Sequence, residues 1–278
     1  MSRISQTFAE LRKQDRAGFI PFVTGCDPDS ETSLSILSGL PAAGADVIEL
    51  GIPFSDPMAD GPTNQASYLR ALKSGASLQK VLDLVKRFRK IDGRTPVVLM
   101  GAFNPIHAYG TARLVRATAD AGVDGLLVVD LPAEEDEVLR VPAKEHGVEV
   151  VRFLAPTTHD ARLKTVLEGA GGYLYYASIS GITGTKSFVE DEVRRAIDRI
   201  RRMTTLPCAV GFGIRTPDQA ARIARLADAV VVGSAIVARI EQGVTSGAGG
   251  KAIVTDVLNF CGQLAKSVHS ARENAVVQ

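Results

Sequence analysis

Glu49 is the residue in this sequence best placed to do chemistry. It sits in the short run DVIELG (46 to 51), where extended backbone puts Val47, Glu49 and Gly51 on one face and Ile48 and Leu50 on the other. The aliphatic face suits packing against helices, so Glu49 points the opposite way, into an interior. An ionised carboxylate is costly there and its pKa rises, which suits a general acid or base. The plain structural alternative is a buried ion pair. No lysine lies in any of the eight apolar runs described below, and Arg152 is the sole arginine among them, so the chemical role is favoured.

Asp56 and Asp60 follow in PFSDPMADGPT. Their separation lets one reach the same interior while the other faces outward, although loop aspartates also satisfy turn backbone. Other reactive groups are poorly placed. His107, His146, His159 and His269 are scattered, which argues against a metal centre. Cys26, Cys208 and Cys261 are odd in number and outside any CxxC spacing, so neither a disulfide framework nor a zinc site is expected. Cys26 follows the first run with nothing basic beside it and reads as structural. No strand carries the lysine that Schiff-base cleavage requires.

The elements that must position these groups recur with one rhythm. Apolar runs fall at GFIPFVTG (18 to 25), DVIELG (46 to 51), PVVLMG (96 to 101), GLLVVD (125 to 130), VEVVRFLA (148 to 155), YLYYAS (173 to 178), PCAVGFG (207 to 213) and AVVVGS (229 to 234). They are rich in Val, Ile and Leu without strict polar alternation, as helix-covered parallel strands are. Helical patterns lie between them. Ser77 caps one carrying Leu78, Val81, Leu82, Val85 and Phe88, and Pro217 and Asp218 open another. Eight strand and helix units over roughly 250 residues predict a single (β/α)8 barrel domain spanning 1–278. Ile4, Phe8 and Leu11 predict a helix closing the barrel bottom, an extra helix is expected from about Gln65 to Lys73, and a last one from Lys251 to about Val268. TSGAGGK (245 to 251) lacks the Ser or Thr and the preceding strand of a phosphate loop and reads as a linker.

In such a barrel the chemistry sits at the C-terminal strand ends, and loops seven and eight bind phosphate through backbone N–H groups. GFGI (211 to 214) and VVGS (231 to 234) occupy those two places, with Ser234 able to cap the helix beginning SAIVARI. The long loops PFSDPMADGPT and SISGITGTKS (178 to 187) read as active-site lids. Carboxylate acid–base chemistry on a phosphate ester is what these features leave. Among 278 residues, 45% hydrophobic and 23% charged, the formal net charge is only +1, so no field attracts nucleic acid or anionic lipid. The polar start MSRISQTFAELRKQ and the lack of a run of roughly 20 apolar residues predict a cytoplasmic protein with no membrane partner.

GFIPFVTGCDPD, DVIELGIPFSDPMADGP, DGLLVVDLPAEE, YLYYASISGITG, GFGI and VVGSAIV together resemble the tryptophan synthase alpha subunit family, in order over nearly the whole chain. The resemblance implies a (β/α)8 lyase of tryptophan biosynthesis that cleaves indole-3-glycerol phosphate to indole and glyceraldehyde 3-phosphate. It implies that Glu49 and Asp60 are the catalytic carboxylates and that Phe22 and Tyr175 line the substrate pocket. Gly184, Gly213, Gly233 and Ser234 would hold the phosphate, with Phe212 beside it, and Thr183 would meet Asp60 on lid closure. Asp56, Asn104, Pro105 and Pro132 would face a beta subunit in an α2β2 complex. Pyridoxal phosphate would belong to that beta subunit, and this chain would carry no cofactor of its own.

Two positions depart from the family pattern: Ala102 stands where many members have tyrosine, and Ile179 where the lid often carries a polar residue. Three other readings compete. One is a stand-alone lyase releasing free indole. Another is a non-catalytic phosphate-binding regulatory subunit, which would have no use for both Glu49 and Asp60. The third is a sugar-phosphate isomerase with Cys26 as base.

Overall fold

The computed structural model describes residues 1–178, 186–211 and 213–273. Eight parallel strands close into a barrel in sequence order: β1 (Gly18–Thr24), β2 (Ile48–Gly51), β3 (Val97–Gly101), β4 (Gly125–Val128), β5 (Glu149–Leu154), β6 (Leu174–Ala177), β7 (Cys208–Gly211) and β8 (Ala229–Val232). β8 closes on β1 with Phe19 level with Val230. The helices are α1 (Arg3–Lys13), α2 (Ser30–Gly39), α3 (Pro62–Lys73), α4 (Leu78–Arg89), α5 (Phe103–Tyr109), α6 (Thr111–Ala121), α7 (Glu137–Glu145), α8 (Asp160–Leu167), α9 (Lys186–Arg201), α10 (Pro217–Ala224), α11 (Ser234–Thr245) and α12 (Gly250–His269). Each predicted run contains one strand.

Alternation along the strands divides the apolar residues into two cores. Ile48 and Leu50 join the layer between barrel and helices, whereas Val47 joins Ile20, Val98, Leu127, Val151 and Tyr173 inside the barrel. Ile4, Phe8 and Leu11 of α1 pack into this inner cluster and stop its lower end. The spacing of four and three places them on one face.

Three aspartates tie the strands together at that lower end. Asp46, Asp124 and Asp228 precede β2, β4 and β8, and each accepts a backbone N–H from the first or second residue of the neighbouring strand. The donors are Phe19, Val97 and Cys208, all at 2.8 Å. Each carboxylate also meets a cation: Arg16 at Asp46, Arg3 and Arg89 at Asp124, Arg201 at Asp228, and the His269 ring lies 2.9 Å from Asp46 as well. Strand ends that would be left unsatisfied are thereby capped.

Some boundaries differ from expectation. The extra helix starts at Pro62 rather than Gln65, because proline is preorganised for the first helical position and Gly61 serves as its N-cap. Thr245 still belongs to α11 and Gly250 already to α12, which narrows the linker to 246–249. Ser234 does not cap α11. It is the first helical residue, Gly233 holds the N-cap position, and no side chain caps this helix. Of the SISGITGTKS loop, 179–185 fall outside the described residues, and Lys186 already begins α9. Ser77 caps α4 as expected, and Thr216 and Gln219 form a reciprocal capping box on α10.

Candidate active site

A cavity of about 230 Å³ opens at the C-terminal strand ends and collects both predicted catalytic carboxylates, Glu49 and Asp60, with Phe22, Tyr175, Gly213, Gly233 and Ser234. Two strand glycines, Gly51 and Gly211, and the N-cap Gly233 make room for it. A side chain on Gly51 would lie 2.8 Å from the Phe22 ring, and one on Gly211 would collide with the Tyr175 hydroxyl. At Gly233 the Phe22 ring is again the obstacle, 3.2 Å away. Tyr175 stacks on Phe153 at 5.1 Å between ring centroids, which completes an aromatic wall.

Glu49 has no exposure to solvent. Among the described residues its Oε1 accepts one hydrogen bond, from the Tyr173 hydroxyl at 2.5 Å, and its Oε2 has no partner. Burial pushes its pKa up to about 8, against the opposing donation from Tyr173. The ion-pair alternative fails, since Arg152 engages Asp136 and the Glu168 carbonyl instead. Arg152 alternates outward between Val151 and Phe153, two residues of the inner face.

Asp60 lies in the loop that leads from β2 into α3. Asn64 donates to its Oδ1 at 3.0 Å and the Tyr68 hydroxyl to its Oδ2 at 3.2 Å, both from the first two turns of α3. Burial raises its pKa, and the two donors oppose that rise. The phenols of Tyr68, Tyr173 and Tyr175 are all held well above their ordinary pKa by burial and by carboxylate neighbours, so they remain neutral. α3 is itself anchored to the end of β1: the hydroxyls of Thr24 and Ser67 share a hydrogen bond at 2.6 Å, and Arg70 grips buried Asp27 through two nitrogens.

At the opposite end of the cavity, Gly213 adopts a φ of +72°, a conformation that glycine reaches without steric cost. Across from it α11 begins uncapped at Gly233 and Ser234, and the first N–H groups of a helix have no partner within it. This end suits an anion.

Thr183, Gly184, Phe212 and Ile179 lie outside the described residues. Asp56 and Pro132 are exposed in the loops after β2 and β4, and between them the first turn of α5, after β3, carries exposed Asn104 and half-buried Pro105. The Phe103 N–H, at the start of α5, donates to Asp130 at 2.7 Å and ties this turn to the loop after β4. Ala102 is buried and puts no phenol at the end of β3. The phenol on Asp60 comes from Tyr68 instead. Cys26 is fully buried, does not line the cavity, and has its thiol pKa raised by burial, which removes the support for a cysteine base. Among the described residues no cluster of His, Cys, Asp and Glu could hold a metal ion.

Sequence reasoning missed Tyr173, Tyr68, Asn64 and Phe153. Phe153 and Tyr173 carried a usable signal, the same alternation that points Glu49 inward. Tyr68 and Asn64 carried none, because their contact depends on how α3 folds back over its own loop.

A closed parallel barrel with a buried carboxylate in the cavity at its C-terminal strand ends, and a glycine turn and a helix start after strands seven and eight, defines an enzyme of the (β/α)8 class. The model of the tryptophan synthase alpha chain family matches residues 8–269. A tryptophan synthase alpha chain from Gluconacetobacter diazotrophicus is 52% identical over 273 residues, which cover 98% of this chain and all of that one. The crystal structure of the alpha subunit from Legionella pneumophila superposes with a TM-score of 0.89 at 35% identity, covering 96% of this chain and 98% of that one. Tryptophan synthase from M. tuberculosis in an open form gives 0.85 at 31% identity, with the same coverage of each chain. The chain belongs to the tryptophan synthase alpha chain family, and is thereby a lyase that cleaves indole-3-glycerol phosphate.

Proposed function

We propose that Glu49 and Asp60 perform the cleavage, with Glu49 as the proton carrier and Asp60 as the partner of the indole ring. The observation that carries this reading is the pairing of a desolvated Glu49 with a donor-stabilised Asp60 in one cavity. With its pKa pushed up to about 8, Glu49 holds a proton at neutral pH and can deliver it to carbon 3 of the indole. The product is a positively charged indoleninium. Asp60, kept as an acceptor by Asn64 and Tyr68, takes the ring N–H and stabilises that charge.

The emptied Glu49 carboxylate then accepts the proton of the glycerol hydroxyl. As the oxygen becomes a carbonyl, the carbon–carbon bond breaks and its electron pair returns to the ring. Indole and glyceraldehyde 3-phosphate leave, and the second proton restores Glu49. The chemistry closes on itself without a cofactor in this chain. Gly213, Gly233 and Ser234, with Gly184, hold the phosphate through backbone N–H groups, while Phe22 and Tyr175 flank the indole. The family resemblance adds Phe212 beside the phosphate and Thr183 as a partner of Asp60, both outside the described residues.

Asp56, Asn104, Pro105 and Pro132 form the docking face for a beta subunit, which carries the pyridoxal phosphate and receives the indole in an α2β2 complex. Support comes from their position on the segments that follow β2, β3 and β4, the first turn of α5 among them, and from Met58, which is 90% exposed in the loop after β2. Among the described residues no helix is long and apolar enough to cross a membrane, and a cytoplasmic site fits a biosynthetic lyase.

Indole release by the purified chain, with and without a beta subunit, tests the reading. Glu49→Gln is expected to lower the rate by at least about a hundredfold, the usual contribution of a general acid–base group, while glycerol 3-phosphate still binds. Release at near the wild-type rate would contradict it.

A further inference from the structure

We infer that Arg215 supplies the positive charge of the phosphate subsite, an inference that rests on the placement of the phosphate at the Gly213 and Gly233 end of the cavity. Arg215 lines the cavity next to Gly213 and Ile214 and is the sole cation among its described lining residues. The two carboxylates in the same cavity, Glu49 and Asp60, repel a phosphate dianion whenever they are ionised. Backbone N–H groups offset this only through partial charges. A guanidinium adds a full charge and a planar fork of donors matched to phosphate oxygens.

The backbone that carries Arg215 is fixed. Gln219 accepts hydrogen bonds from the N–H groups of both Arg215 and Thr216, at 2.8 and 3.2 Å, and its own N–H donates to the Thr216 hydroxyl. The residue is thus pinned between the glycine turn after β7 and the capped start of α10. Its side chain is exposed, and among the described residues no acidic group lies within ion-pair distance of it. Neighbouring arginines are committed: Arg222 meets Glu190, and Arg225 donates to the Ala271 carbonyl. Arg215 is therefore available to a ligand anion at the mouth of the site.

The test measures binding of glycerol 3-phosphate and of indole, which has no phosphate, by calorimetry on wild type, Arg215→Ala and Arg215→Lys. It adds kcat and KM for indole-3-glycerol phosphate at low and high salt. The Ala variant should bind glycerol 3-phosphate about tenfold more weakly, in line with the loss of one charged hydrogen bond. It should bind indole unchanged, and raise KM about tenfold with kcat within twofold. Arg215→Lys should recover part of the loss, and the wild-type KM should rise more steeply with salt than that of the Ala variant. A twofold or smaller change in glycerol 3-phosphate binding overturns the inference. So does an equal loss of indole binding, which would mark a structural role. A wild-type chain that binds glycerol 3-phosphate but cleaves no indole-3-glycerol phosphate defeats the catalytic reading and leaves Arg215 supported. A wild type that binds no phosphate ester defeats both.

Discussion

The two ends of the barrel use the same residue type for opposite purposes. At the lower end, Asp46, Asp124 and Asp228 each hold a backbone N–H and a cation, so their charges are matched and the strands are tied. At the upper end, Glu49 is more deeply buried than any of them yet meets one neutral phenol. Paired carboxylates hold structure; an unpaired one is kept ready to change its proton. On the proposed reading of Glu49, the difference teaches that burial alone does not mark a catalytic acid. What marks it is burial without a cation.

The sharpest way to break this contrast is to neutralise each end in turn. Glu49 has a folded pKa near 8 against an ordinary 4.5, so its protonation favours the folded state fully below pH 4.5, and that contribution is lost as the pH rises through about 8. Glu49→Gln escapes the loss. It should match wild type in stability near pH 4.5 and exceed it by on the order of 4 kcal/mol above pH 8, as read by urea unfolding across the pH range. A constant difference would mean that Glu49 titrates normally.

Asp124→Ala should do the reverse. It strands Arg89 and frees the Val97 N–H, which should cost about 3 kcal/mol of stability while the folded fraction keeps its kcat. A cost below about 1 kcal/mol would remove the lower carboxylates from the structural account. A smaller effect is expected at Gly211, where a methyl group would meet the Tyr175 hydroxyl. Gly211→Ala should lose about 1 to 3 kcal/mol of stability through overpacking and displace Tyr175 from the indole wall, visible as a raised KM. The smallest change is Tyr173→Phe. Loss of its donated hydrogen bond should raise the Glu49 pKa further and move the corresponding limb of the pH–rate profile upward, with kcat reduced less than about tenfold.

Much of the upper end was legible in the sequence, and little of the lower. The inward face of DVIELG followed from strand period alone, and the glycines of GFGI and VVGS fell where the barrel requires them. Tyr173 was hidden because a tyrosine opening an apolar run reads as core, and it is both core and donor. Asn64 and Tyr68 were hidden because Asp60 meets them only after α3 folds over its own loop. Arg215 carries no sequence signal of its own, since only the cavity shows that it shares a wall with Gly213. The three lower aspartates did leave a trace, an acidic residue at or just before the strand in ADVIEL, VDGLLV and ADAVVV. The repeat gains meaning once the strands are seen side by side, each carboxylate meeting an N–H at the start of its neighbour.

The account turns on whether Glu49 keeps its proton at neutral pH. A carbon-13 NMR titration of the Glu49 carboxyl, assigned by comparison with Glu49→Gln, measures this directly in the free chain. The structure predicts a midpoint near 8, rising further in Tyr173→Phe. A midpoint at the ordinary glutamate value near 4.5, unmoved by that substitution, would contradict it.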